Sequence, residues 1–155
     1  MSDHAVRRAG PADAEAVGRM LHDFNTEYDE QTPGPQKIAD RVRELLAGGD
    51  TTILLVGDGP DGLAVLRFRL AITTPGLECY LAELYVVPDM RAQGRGRALM
   101  NAAIEEARAR GADYMDLGTS EDNVAARALY ESLGFVNREG GRPDGPIAYY
   151  YELAL

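Results

Sequence analysis

Apolar residues follow two rhythms along this chain, and the switches between them predict its elements. Ala16, Val17, Met20, Leu21 and Phe24 recur at helical spacing after Pro11. Proline suits a first helical position, where its missing N–H costs little. The run YDEQTPGP (Tyr28–Pro35) breaks this helix; Ile38, Val42, Leu45 and Leu46 mark a second, stopped by Gly48-Gly49. Ala5–Arg8 reads as an edge strand and Ile53–Val56 as a strand. Beyond the turn Gly57–Gly62, Leu66, Phe68 and Leu70 alternate with Arg67 and Arg69, which predicts a strand with one polar face. Pro75-Gly76 is a turn, and Leu81–Val87 is the next strand. Leu99, Met100, Ala103, Ile104 and Ala107 define a helix ended by Gly111. Tyr114–Leu117 is a short strand, and Asn123–Leu133 a helix closed by Gly134. Phe135–Arg138 and Ala148–Leu153 read as two closing strands joined by the loop Gly140–Pro146.

The order is β-α-α-β-β-β-α-β-α-β-β. Consecutive strands before the central helix favour antiparallel pairing, and the strand–helix–strand around it favours a parallel pair. The expectation is an α/β chain with a mixed sheet and helices on both faces. A length of 155 residues fits one domain, 1–155, with a real core. The lone cysteine, Cys79, has no partner for an internal disulfide, and no apolar run is long enough to span a bilayer. A cytoplasmic protein is expected. The net charge is −9, yet Met90–Met100 holds three arginines and no acid. One small basic spot on an acidic body argues against nucleic acid as a partner and suits a small anionic cofactor.

That spot lies in AELYVVPDMRAQGRGRAL (Ala82–Leu99), a strand, a glycine-bearing turn and an amphipathic helix. The helix start offers unpaired N–H groups and a positive dipole end. Arg91, Arg95 and Arg97 add positive side chains, so the turn suits a phosphate or pyrophosphate. Gly94-Arg95-Gly96 is not a dinucleotide fingerprint, because its sixth position is Leu99 where Gly or Ala is needed. No lysine follows the glycines, which excludes a Walker loop.

Arg91-Ala92-Gln93-Gly94-Arg95-Gly96 matches the pattern R/Q-x-x-G-x-G/A. Further on, Asn123, Ala126, Leu129, Tyr130, Glu131, Leu133, Gly134 and Phe135 match N-x-x-A-x-x-L-Y-E-x-L-G-F. On these two linked motifs the sequence resembles the GNAT superfamily of acetyl-CoA-dependent N-acetyltransferases. The resemblance implies a mixed, mostly antiparallel sheet of about six to seven strands. It implies that Arg91, Ala92, Gln93, Gly94, Arg95, Gly96 and Arg97 hold the pyrophosphate of acetyl-CoA. It also implies that the backbone at Tyr85, Val86 and Val87 pairs with the pantetheine arm, and that an N–H near Val86 polarises the thioester oxygen. Val87-Pro88 agrees with this, since proline cannot continue a ladder.

Asn123 and Tyr130 are seven residues apart and share a helix face, which the family sets against the cofactor. The resemblance makes Tyr130 the general acid for the leaving thiolate; the alternative is a core ring with a satisfied hydroxyl. Glu83 is the candidate base, acting through water. Its alternative is a surface carboxylate paired with Arg67 or Arg69. His4 and His22 are isolated, Cys79 has no role, and no metal signature is present. The family flanks the acceptor site with the segment between the first two helices, here Glu27, Tyr28, Asp29 and Glu30, and with the last loop, here holding Arg142 and Asp144. Carboxylates beside an aromatic suit a small cationic amine such as a polyamine, aminosugar or aminoglycoside. The rivals are a protein lysine or N-terminal acetyltransferase and a non-catalytic acyl-CoA-binding sensor. A second copy of the chain is the other partner expected.

Overall fold

A computed structural model describes residues 4–155. The chain divides into two compact units, Met1–Leu117 and Gly118–Leu155. The first holds β1 (Val6–Arg8), α1 (Ala14–Glu27), α2 (Pro35–Gly48), β2 (Thr51–Val56), β3 (Gly62–Leu70), β4 (Leu77–Val86), α3 (Arg95–Ala109) and β5 (Ala112–Asp116). Pro11 opens a short 3-10 turn ahead of α1, and Pro35 is the first residue of α2. Gly49 ends α2 with φ at 82°, a left-handed conformation that glycine adopts at no steric cost.

The sheet has five strands in the order β1-β2-β3-β4-β5. Neighbours are antiparallel except β4 and β5, which the α3 crossover makes parallel. On one face α1 and α2 bring Val17, Met20, Ala39 and Val42 onto Ile53, Leu55, Leu63, Val65 and Tyr85. On the other, α3 buries Leu99, Met100 and Ala103 completely. Polar ties also hold α3 there: Arg110 donates to Thr52 Oγ1 at 3.0 Å and to the Gly49 carbonyl at 2.7 Å, and its guanidinium lies 4.1 Å from the Phe68 ring centroid. Arg8 reaches Glu106 at 2.7 Å. Helices therefore cover both faces, as the pattern predicts.

The expected count of strands is not met. Of the two closing strands, only an isolated bridge between Arg138 and Ile147 forms, flanked by Glu139 N–H to Pro146 O and Ala148 N–H to Asn137 O. Pro146 has no N–H to extend a ladder, and Gly140 and Gly141 curl the loop with φ of 67° and 69°. Tyr149, Tyr150, Tyr151 and Leu153, expected within the last strand, stay exposed. Boundaries also move, and β5 spans Ala112–Asp116 rather than Tyr114–Leu117. β4 starts at Leu77 rather than Leu81, and Leu70, expected on the buried face, is 80% exposed at the end of β3. In the second unit α4 (Val124–Ser132) follows the N-cap Asn123, and Gly134 closes it with φ of 98°.

Gly18 sets how closely α1 and α2 approach. A Cβ there would stand 2.5 Å from the Pro35 carbonyl oxygen and 2.8 Å from the Ala39 nitrogen. Alanine gains about 1 kcal/mol over glycine in a helix, but overpacking costs about 1–3 kcal/mol. Gly18→Ala is expected to lower the urea midpoint of unfolding; an unchanged or raised midpoint would mean that the helices part freely.

Candidate functional site

β5 accompanies β4 only from Leu77 to Tyr80, which pairs with Asp116. The remaining residues of β4, Leu81–Val86, have β3 on one side and no β5 on the other. Their direction follows from the register. Val86 stands opposite Gly62, and the next residue, Val87, donates its N–H to the Asp61 carbonyl at 2.8 Å. This is the bonding of a non-hydrogen-bonded pair, so the N–H and C=O of Val86 point away from β3. Alternation turns those of Leu84 the same way and those of Tyr85 towards β3. Of Tyr85, Val86 and Val87, only Val86 presents its main chain to the open edge, because Val87 is held by Asp61 and its carbonyl accepts from Met90 at 2.9 Å. Leu84 joins it, and the period of two along a strand is the signal that could have found it.

A bulge sets the side chains. Val65 pairs with Glu83, but the next residue, Leu66, pairs with Leu81, leaving Ala82 as the extra residue. Ala82 and Tyr85 pack with the α1–α2 core, so the strand changes phase between Leu81 and Glu83. Glu83 is half-buried opposite Val65, and burial pushes its carboxyl above the ordinary range. The alternative pairing with Arg67 or Arg69 does not form: Arg69 bonds Glu78, and Arg67 stands opposite Tyr80.

Beyond β4, Pro88–Met90 makes a 3-10 turn. Ala92 then takes φ of 61° and Gly94 of 91°, and α3 begins at Arg95. The chain passes so near His4 that a Cβ on Gly94 would lie 2.9 Å from the His4 ring. Among the described residues, the N–H groups of Ala92, Gln93, Gly94 and Gly96 meet no acceptor. Free N–H donors of this kind at a helix N-terminus suit an anion.

The arginines are placed differently from one another. Arg91 grips both oxygens of Glu27 at 2.7 and 2.8 Å, donates Nε–H to the Val86 carbonyl at 2.8 Å, and lies over the Tyr85 ring at 5.5 Å. Arg95 is turned inward, 5% exposed, and meets Asp61 at 3.2 Å and the Gln93 side-chain oxygen at 3.1 Å. Arg97 is exposed on the first turn of α3. Glu27 and Arg91, expected on the acceptor and cofactor sides, are thus one ion pair. Tyr28 joins the same group, edge-on to Phe24, which stacks on Tyr85 with centroids 5.0 Å apart. Asp29 and Glu30 are exposed, and Asp29 has φ of 58°.

In the second unit, Asn123 accepts from the Ala126 N–H at 3.4 Å, capping α4. Tyr130 is 8% exposed, with its ring edge-on to Phe135 at 6.0 Å, and burial raises its phenol above the ordinary value. Its hydroxyl makes no hydrogen bond among the described residues. Cys79 is buried, its thiol pushed up to about 11. His22 Nδ1 pairs with Thr32 Oγ1 at 2.5 Å. No described helix is long and apolar enough to cross a membrane, and no three or more described His, Cys, Asp or Glu residues are grouped to hold a metal.

Residues 18–135 match the acetyltransferase (GNAT) family, and the chain belongs to that family. Mycothiol acetyltransferase of Beutenbergia cavernae is 37% identical over 135 residues, covering 84% of this chain and 44% of the relative. The chain thus spans less than half of that protein. The ribosomal protein bS18-alanine N-acetyltransferase of Escherichia coli is 47% identical over 58 residues, covering 37% of this chain and 39% of the relative. A crystal structure of a protein from Arthrobacter sp. FB24, assigned as an acetyltransferase, is 44% identical with a TM-score of 0.86, covering 97% of this chain and 96% of the other.

The Arg91 guanidinium holds the Glu27 carboxyl below the usual carboxylate range. A depressed folded value adds stability that is full above the unfolded pKa and fades as pH falls through the folded one. Glu27→Gln should therefore lower the melting temperature near about pH 7 and lose that difference towards about pH 3. A difference that persists undiminished in acid would show that the charge of Glu27 adds nothing.

Proposed function

We propose that the chain is an acetyl-CoA-dependent N-acetyltransferase that moves the acetyl group to a primary amine by direct attack. The observation that carries this reading is the β4 edge left open beyond Tyr80, with the main chain of Val86 facing outward just ahead of the amides of Gln93, Gly94 and Gly96, which meet no acceptor among the described residues. Family membership supports it, as do relatives described as N-acetyltransferases. The donor set fits the cofactor: a strand edge for an amide-bearing arm and a helix-start turn for a diphosphate. With Arg91 and Arg95 paired to acids, the diphosphate charge falls on main-chain N–H groups, with Arg97 nearby in sequence.

Bound acetyl-CoA supplies a thioester carbonyl as the electrophile and a thiolate as the leaving group. Val86 offers its N–H to the carbonyl oxygen, where negative charge grows during attack. The amine must arrive neutral, although an alkyl amine has a pKa of about 10.4. Glu83 takes its proton through water, and burial strengthens the carboxylate as a base by raising its pKa. As the C–N bond forms, the C–S bond breaks and the sulfur keeps the electron pair; the second proton released from the nitrogen passes through water to that thiolate, giving the amide and the free thiol. By resemblance to the family motif, Tyr130 is the group assigned to hydrogen-bond that sulfur. Its pKa, lifted by burial, leaves full proton transfer uphill, so its part is to stabilise the developing charge.

The acceptor we propose is a small cationic amine drawn by the exposed Asp29 and Glu30, with Tyr28 as an aromatic face. Glu27 is already neutralised by Arg91 and contributes through position, not free charge.

Loss of thiol stabilisation in Tyr130→Phe, and of the base in Glu83→Gln, should each lower kcat about 100-fold with little change in coenzyme A affinity. Full turnover in either variant would remove that residue from the chemistry. The doubly neutral Asp29→Asn, Glu30→Gln variant should raise KM for a polyamine and leave KM for a neutral aromatic amine unchanged. Equal effects on both would argue against charge recognition. Thiol release across a panel of free amines, against a peptide panel, distinguishes a small-molecule acceptor from a protein one.

A further inference from the structure

Asp61 lies in the turn between β2 and β3, far in sequence from the glycine-bearing turn, yet three bonds run through it. Its N–H donates to the Val56 carbonyl at 2.8 Å, and its carbonyl accepts the Val87 N–H at 2.8 Å. Its carboxylate receives the Nε–H of Arg95 at 3.2 Å. Arg95 continues the chain by donating to the Gln93 side chain at 3.1 Å. The neighbourhood is built around that carboxylate. A Cβ on Gly57 would lie 2.1 Å from one of its oxygens, and one on Gly59 would lie 2.5 Å from the other. The side chains of the pair are 6% exposed for Arg95 and 15% for Asp61.

Arg95 is the first residue of α3, where a cation opposes the positive end of the helix dipole. The Asp61 carboxylate sets a negative charge against both and holds the guanidinium that reaches on to Gln93. The carbonyl of the same residue fixes Val87 and so aims the neighbouring Val86 main chain outward. We infer that the Asp61 carboxylate, acting through Arg95 and Gln93, is a positioning group for the cofactor turn. The inference rests on the acetyl-CoA reading, since it assigns Asp61 a task within that site.

The test compares wild type, Asp61→Asn and Arg95→Lys, with coenzyme A binding followed by calorimetry and KM measured separately for acetyl-CoA and amine. Asp61→Asn should weaken coenzyme A binding and raise KM for acetyl-CoA by ~10- to 100-fold, the scale of a small misplacement transmitted to a site. KM for the amine should change less than twofold. Arg95→Lys keeps the charge but cannot bridge Asp61 and Gln93 together, so it should give the same selective loss in a folded protein. If wild type itself takes up no coenzyme A, the acetyl-CoA reading fails. If wild type binds and both variants bind equally well, or if both KM values rise together, the positioning role of Asp61 is overturned. Should Asp61→Asn fail to fold, Arg95→Lys alone decides by the same split.

Discussion

The early end of β5 is the constraint on which the site depends. A strand inside a sheet needs partners on both sides, because each buried N–H and C=O left unpaired carries a desolvation cost. β4 satisfies this at its start, where β5 runs beside it, and not in the stretch that leads to Val86. An open edge of that kind is a hazard for stray pairing unless something covers it or uses it. Here the bulge at Ala82 and the stop at Pro88 make the open stretch short and irregular. The same irregularity brings Glu83 and Tyr85 into phase with the α1–α2 core side.

Charge is arranged around this edge by pairing rather than accumulation. Among the described residues, Arg91 is matched by Glu27 and Arg95 by Asp61, acids from elsewhere in the chain. Both pairs do geometric work. Arg91 joins the end of α1 to the Val86 carbonyl, and Arg95 joins the β2–β3 turn to Gln93. A basic window in the sequence thus becomes a braced loop.

What was legible in the sequence was local. The four helices, the left-handed glycines Gly49, Gly111 and Gly134 that follow α2, α3 and α4, and the strand-to-helix turn all follow from spacing over a few residues, and all form. Pairing at long range was not legible. Arg91 meets Glu27 across 64 positions and Arg95 meets Asp61 across 34, and nothing in the composition of either segment selects its partner. The closing strands do not form for the same reason: the aromatic run at Tyr149–Tyr151 suits a strand, but a strand exists only where a neighbour supplies the ladder. In the candidate site, Val86 was legible through Val87-Pro88, whereas Leu84 and Asp61 required the register.

The amides at Gln93, Gly94 and Gly96 have a consequence for how such a loop tolerates change. A ligand gripped by side chains is lost when one codon replaces the gripping residue. Main-chain donors are present whatever the codon. The burden shifts to shape: Gly94, with φ of 91° and a neighbouring ring where its Cβ would go, is the position at which variation is least affordable.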